Sequence, residues 1–309
     1  MHKTTLIADL GGTNARFAIG DQQRPCHIKT YASADYSQLL DSLNHYLLWL
    51  AEQDITTNYA IFAIAAPIQG HIIQFTNSHW HFNATAIEAR LGHGLKVYND
   101  FYAQALALES PNLQLKRLYT ASASHATPAT PSTRLVIGPG TGLGVAYLTD
   151  SIITSTEAGH ITLPSRSALD FAIFSHLQAK FGHVRAETVC SGHGLENLYA
   201  FFSQKQLAAP AIYQAAMAGD HDAKAAVTQF IRYFGHICGQ LALAVNSLDG
   251  LYLAGGIPKK IAPWLQDGPF LSNLWDHGQY SNYLQRMPVW MVTEPEPALL
   301  GLALLCDKI

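Results

Sequence analysis

The chain has 309 residues, 49% of them hydrophobic and only 13% charged, with a net charge of −3. That length suits two domains better than one core, and the composition fits a compact globular enzyme and excludes a disordered chain. The small net charge gives no general pull toward nucleic acid or an anionic membrane, and no apolar run approaches the roughly 20 residues of a membrane span.

The N-terminus reaches Asp9 too early for a signal peptide, so a cytoplasmic location is expected. From Leu6 to Ile19 an apolar run, a turn holding Gly11 and Gly12, and a second apolar run read as strand, tight turn, strand, with glycine expected to supply a positive φ. Leu39, Leu40, Leu43, Leu47 and Leu50 then recur at helical spacing, which predicts a helix over about 36–52. Tyr59–Ala66 reads as a buried strand ended by Pro67, and Ile72–Phe75 as another strand. His79 and His81 alternate around Trp80, but they lack a third metal ligand.

Leu95–Tyr98 reads as a short strand that delivers Asn99 and Asp100 to its carboxyl end, with a helix from Phe101 to Leu108. Ligands of open α/β sheets gather at such ends. A carboxylate there can accept a substrate hydroxyl proton while the neighbouring amide fixes a second hydroxyl. Asn and Asp are equally favoured as caps of the helix that follows.

Residues 121–133, rich in Ala, Ser, Thr and Pro, read as a linker or surface loop. From Leu135 to Leu148 the strand–turn–strand unit recurs, with Gly140 in the place of Gly11. A repeated unit implies two related half-structures, each offering backbone N–H groups to an anion, and suggests a nucleotide; two ordinary hairpins are the plainer alternative. The lysine-bearing P-loop pattern is absent. A dinucleotide-binding turn should open a helix, whereas a strand run, Val145 to Leu148, follows Gly144.

Glu157 and His160 flank Ala158 and Gly159, so a carboxylate and an imidazole can converge around a flexible glycine; a surface loop would read the same way. Helical signals cover about 166–180 and 224–247. Glu187 follows the first of these and could converge on the same ligand or simply be solvated. Leu251–Ile257 reads as a strand running into Gly255 and Gly256, Pro288–Val292 as a strand, and Pro297–Leu305 as a terminal helix. Carboxylates and amides without metal-ligand spacing suit a sugar, whose hydroxyls need acceptors and donors together. Cys26, Cys190, Cys238 and Cys306 are scattered, which argues against a disulfide framework and a structural zinc site.

In order, the motifs Asp9-Leu-Gly-Gly-Thr-Asn-Ala-Arg16, Asn99-Asp100-Phe101, Gly138-Pro-Gly-Thr-Gly-Leu-Gly144, Glu157-Ala-Gly-His160, Gly182-His-Val-Arg-Ala-Glu187 and Leu253-Ala-Gly-Gly-Ile257 closely resemble the bacterial glucokinases of the enterobacterial type, within the sugar kinase/actin/heat-shock-chaperone superfamily. The resemblance runs from the first strand to Pro297-Ala-Leu-Leu-Gly301. It implies an α/β, two-lobed actin-like ATPase (ribonuclease H-like) fold with a duplicated core and an interlobe cleft that closes on glucose. A small α/β lobe would cover 1–109, completed by 297–309, and a large α+β lobe 110–296.

The resemblance further implies a cytoplasmic glucokinase, which uses ATP to phosphorylate the 6-hydroxyl of D-glucose and feeds glucose 6-phosphate into glycolysis. Asp100 would be the catalytic base. Asn99, Asp100, Glu157, His160 and Glu187 would hold the sugar. Ala8, Asp9, Leu10, Gly11, Gly12 and Thr13 would meet the ATP phosphates, with Asp9 orienting Mg²⁺ through water. Gly140, Thr141 and Gly142 would wrap the phosphates, and Gly255 and Gly256 would let adenine approach backbone. A homodimer is implied, with neither nucleic acid nor membrane as a partner. The cysteine-rich zinc motif of related sugar kinases is absent, so no zinc is expected, and Pro139 stiffens the second turn.

Three rival readings remain at this point: a kinase for mannose, fructose or glucosamine; a sugar-sensing repressor, for which no helix-turn-helix is present before the first strand; and an inactive scaffold, against which Asp100 and both turns argue.

Overall fold

A computed structural model describes residues 4–66, 68, 70–75, 80–120, 132–266 and 268–308. Most of the expected 121–133 linker, Pro67 and His79 lie outside the described residues. By the clustering of its contacts the chain forms two units, one of Met1–Gln114, Ile153–Ser155 and Glu294–Ile309, the other of Leu115–Ile152 and Thr156–Thr293.

The first unit is built on β1 (Thr5–Leu10), β2 (Asn14–Asp21), β3 (Arg24–Ala32), α1 (Leu39–Glu52), β4 (Tyr59–Ile64), β5 (Ile72–Gln74), β6 (His81–Asn83), α2 (Ala84–Leu91), β7 (Leu95–Asn99) and α3 (Asp100–Leu106). Its main sheet has the order β3-β2-β1-β4-β7; β1 runs antiparallel to β2 and parallel to β4, and β4 parallel to β7. Parallel strands buried on both faces read as unbroken apolar runs, as β1 and β4 do. Leu6, Ala8 and Leu10 face α1, whose Leu39, Leu43, Tyr46 and Leu50 repeat at helical spacing and are buried. Ile7, Ile61 and Ala63 face the opposite way, against Ala103 of α3 and the terminal helix.

The second unit contains β8 (Leu115–Tyr119), β9 (Thr133–Pro139), β10 (Leu143–Thr149), β11 (Ile152–Thr156), α4 (Ala168–Phe181), α5 (Gly192–Ser203), α6 (Ala209–Ala218), α7 (His221–Val245), β12 (Gly250–Leu253), α8 (Gly256–Lys260), α9 (Ala262–Leu265), α10 (Pro269–Trp275), α11 (Ser281–Leu284) and β13 (Val289–Val292); α12 (Pro297–Cys306) returns to the first unit. The second sheet has the order β11-β10-β9-β12-β13-β8. Without the added edge strand β8, its pairing repeats that of the first sheet: an antiparallel hairpin, then two parallel neighbours. This is the duplicated core that the resemblance implies, and β1–β2 and β9–β10 are its equivalent hairpins. The long α7, buried along Phe230, Ile231, Phe234, Ile237 and Cys238, is the centre of the second core.

Two local expectations are corrected. The strand expected over 251–257 stops at Leu253, and Gly256 already begins α8. No glycine of either hairpin turn is among the positive-φ residues described. The turns close in ordinary backbone regions, by Gly11 N–H donating to Asn14 O at 2.9 Å and Gly140 N–H to Gly142 O at 2.8 Å.

Candidate active site

In the first unit the register aligns Leu10 with Ile64 and Ile64 with Asn99, so β1, β4 and β7 end together at one edge. Neighbouring strands lie about 4.8 Å apart, which puts the β1 and β7 ends roughly 10 Å from each other. Asp9 comes one residue before the end of β1 and Asp100 one residue beyond β7. Alternation along β1 turns Asp9 to the face of Ile7, toward α12. There Arg16, its cross-strand partner on β2, places Nη1 3.4 Å from Asp9 Oδ2 and Nε 3.0 Å from Glu296 Oε2, just ahead of α12. Burial pushes the Asp9 carboxyl up from its ordinary range, and Arg16 pulls it back down.

Asn99, not Asp100, caps α3. Its Oδ1 accepts from the N–H groups of Phe101 at 2.9 Å and Tyr102 at 3.3 Å. The amide nitrogen of Asn99 keeps its donors, while Asp100 occupies the first helical turn with a half-buried side chain.

In the second unit Glu157, His160 and Glu187 come together. His160 Nε2 lies 3.5 Å from Glu157 Oε2, and its Nδ1 lies 3.5 Å from Glu187 Oε1. Backbone pairing brings these distant segments side by side: Ala186 N–H donates to Ile161 O at 2.8 Å and Leu163 N–H to Val184 O at 3.0 Å. Gly159 is not a flexible point, as expected above, but a close approach. A Cβ there would sit 2.0 Å from Leu143 O, so only glycine lets the Glu157–His160 turn lie on β10. Arg185 joins the cluster, with Nη1 3.1 Å from His160 Nδ1 and Nη2 3.4 Å from Glu187 Oε1. Sequence reasoning gave Arg185 no role. Its approach follows from the pairing of the segments around Ile161 and Ala186, which no local pattern signals.

The second glycine turn borders this cluster. Gly159 rests on Leu143, next to Gly142, and Gly192 N–H, at the start of α5, donates to Gly140 O at 2.8 Å. Ser191 caps α5 by accepting from Gly194 N–H at 2.9 Å and donates to Glu187 O at 2.8 Å, which ties the turn to the carboxylate cluster. A Cβ on Gly140 or Gly256 would meet no atom within 4 Å, so bare backbone and open space lie together there. Gly255 has φ +85°, and a Cβ on it would come 3.1 Å from Pro139 O. β12 and the second turn therefore touch at a position that requires glycine. Pro139 costs no ladder bond to β12, whose pairing with β9 ends at Leu253 and Ile137.

A sequence model of the glucokinase family matches residues 6–309. The chain belongs to the glucokinase family.

A glucokinase of Pseudomonas aeruginosa (strain LESB58) is 36% identical over 313 residues, covering 96% of this chain and 92% of that protein. The crystal structure of a glucokinase from an Antarctic psychrotroph is 31% identical with a TM-score of 0.81, and each chain is covered in full. A glucokinase of Streptomyces griseus, solved with glucose and AMPPNP, shares the fold at a TM-score of 0.66 and 17% identity, covering 99% of this chain and all of that one. The fold is thus the two-lobed actin-like one of the glucokinases and related sugar kinases. Among the described residues, no group of three or more His, Cys, Asp or Glu side chains could hold a metal ion, and no helix is long and apolar enough to cross a membrane.

Proposed function

We propose that this glucokinase transfers the γ-phosphoryl group of ATP to the 6-hydroxyl of D-glucose, with Asp100 as the base. The observation that carries the reading is the placement of Asp9 and Asp100 at the carboxyl edge of one sheet, a single strand apart. Phosphoryl transfer needs a proton acceptor for the attacking hydroxyl and charge stabilisation for the phosphates, held at fixed separation. Asp100, at the start of a helix capped by its neighbour, suits the first task. Asp9, next to the first turn, suits the second.

Magnesium prefers one or two carboxylates together with phosphate oxygens and water, and the Asp9 carboxylate fits that preference. When bound, it would spread the charge of the phosphates. In the second unit the N–H groups of Thr141 and Gly142, with the space over Gly140 and Gly256, suit phosphate and adenine. Glu157 and Glu187 are acceptors and His160 a donor, a set that suits sugar hydroxyls. Asn99 would donate from its amide nitrogen. We further take the enzyme to be cytoplasmic and to act without a nucleic-acid or membrane partner.

A coupled ADP-release assay over glucose, mannose, fructose and glucosamine tests the reading. Glucose is expected to give the highest kcat/KM, and excess chelator to abolish turnover. A higher kcat/KM for another hexose would replace glucose as the substrate, and full turnover in chelator would remove Mg²⁺ from the scheme.

A further inference from the structure

Arg185 is the cation of the Glu157–His160–Glu187 cluster. A guanidinium can only donate, so the nitrogen that faces it at 3.1 Å, Nδ1 of His160, has to accept. A neutral imidazole that accepts at Nδ1 carries its proton on Nε2. That Nε2–H lies on the side of Glu157, 3.5 Å from Oε2, close enough for one hydroxyl to accept from the ring and donate to the carboxylate. The same guanidinium lies 3.4 Å from Glu187 Oε1, an oxygen placed to accept from it.

We infer that Arg185 is a positioning residue that sets the direction of hydrogen bonding in the sugar site, by locking His160 as an Nε2–H donor between two carboxylate acceptors. This rests on the reading of the cluster as the sugar site. Without the guanidinium, the ring can place its proton on Nδ1 and donate to Glu187, 3.5 Å away. Nε2 then turns a lone pair toward Glu157, and a sugar hydroxyl at that point meets two acceptors and no donor. Arg185 is partly exposed, and its structural bonds are made by its backbone, the N–H donating to Thr188 Oγ1 at 3.0 Å and the main chain bridging to Thr162. Replacing the side chain should therefore spare the fold.

The test combines the ring tautomer with kinetics. In the ligand-free protein, ¹⁵N chemical shifts of the His160 ring should report protonated Nε2 and bare Nδ1. In Arg185→Met the Nδ1–H form should grow, and in Arg185→Lys the parent pattern should be partly restored. A neutral hydrogen bond lost from a site is worth about a three- to tenfold change, so KM for glucose should rise by about that factor in Arg185→Met while kcat changes by less than about twofold. A protonated Nδ1 in the parent protein overturns the inference whatever the sugar does. His160→Ala separates it from the reading beneath it. If His160→Ala raises KM for glucose and Arg185→Met does not, the role of Arg185 fails alone. If neither does, the sugar-site reading fails.

Discussion

Asp9 and Arg16 are cross-strand partners of the β1–β2 ladder, and Arg16 reaches both Asp9 Oδ2, at 3.4 Å, and Glu296 Oε2, at 3.0 Å. Burial raises the Asp9 pKa, and Arg16 opposes the rise. An acid whose pKa is raised by folding adds stability at low pH that is lost as pH climbs through the folded pKa. Asp9→Asn should therefore melt at or above the parent temperature at neutral pH, with the difference shrinking as pH falls, while phosphoryl transfer is lost. Arg16→Met removes the opposing charge, so the acid limb of kcat/KM for ATP should move to higher pH. A limb that stays in place would mean that Asp9 does not act as an ionised group in turnover.

Gly140 and Gly255 separate backbone need from ligand room. Gly255 combines φ +85° with ψ 179°, a region essentially reserved for glycine, so Gly255→Ala should cost about 1–3 kcal/mol in urea unfolding. A methyl on Gly140 meets no protein atom within 4 Å. Gly140→Ala should leave stability within about 0.5 kcal/mol and raise KM for ATP several-fold. An unchanged KM would remove that turn from the nucleotide site.

His236, buried on α7, accepts at Nδ1 from Arg166 Nη1 at 2.8 Å. Burial first, then the charges of Arg166 and His277, lower its pKa from 6.5 to about 4. Between those values the unfolded chain takes up a proton that the folded protein refuses, so stability should fall as pH drops through that window. His236→Gln should flatten this slope. Parallel slopes in parent and variant, from urea midpoints between pH 4 and 7, would assign the acid sensitivity to other groups.

The legible parts of the fold are those where an apolar periodicity is strong or a whole apolar run is buried. β1, β2, β4, β9, β10, α1, α7 and α12 all read as such runs. β3 did not, because most of Arg24–Ala32 is exposed and carries polar residues at an edge. β8 and β11 are short edge strands of the same kind. α5 opens on Gly192-His193-Gly194, a poor helix start by propensity; Ser191 caps it, and position 194 requires glycine because a Cβ there would collide with Val189.

At the site, Asn99 and Asp100 were legible from a strand running into a helix. The approach of Glu187 to His160 depends on pairing between segments around Ile161 and Ala186, and Arg185 depends on the same pairing. No local pattern in the chain encodes that.

The most direct test of the account is Asp100→Asn, with glucose affinity by calorimetry and turnover on the same sample. The cap of α3 belongs to Asn99, so the variant should melt with the parent, whereas Asn99→Ala should lose about 1 kcal/mol. The account predicts that glucose still binds Asp100→Asn, with a dissociation constant near that of the parent. Turnover should fall by about 10²–10⁴-fold, the usual worth of a general base. Retention of more than about a tenth of the parent kcat, below the low end of that range, would contradict the assignment of Asp100 as the base.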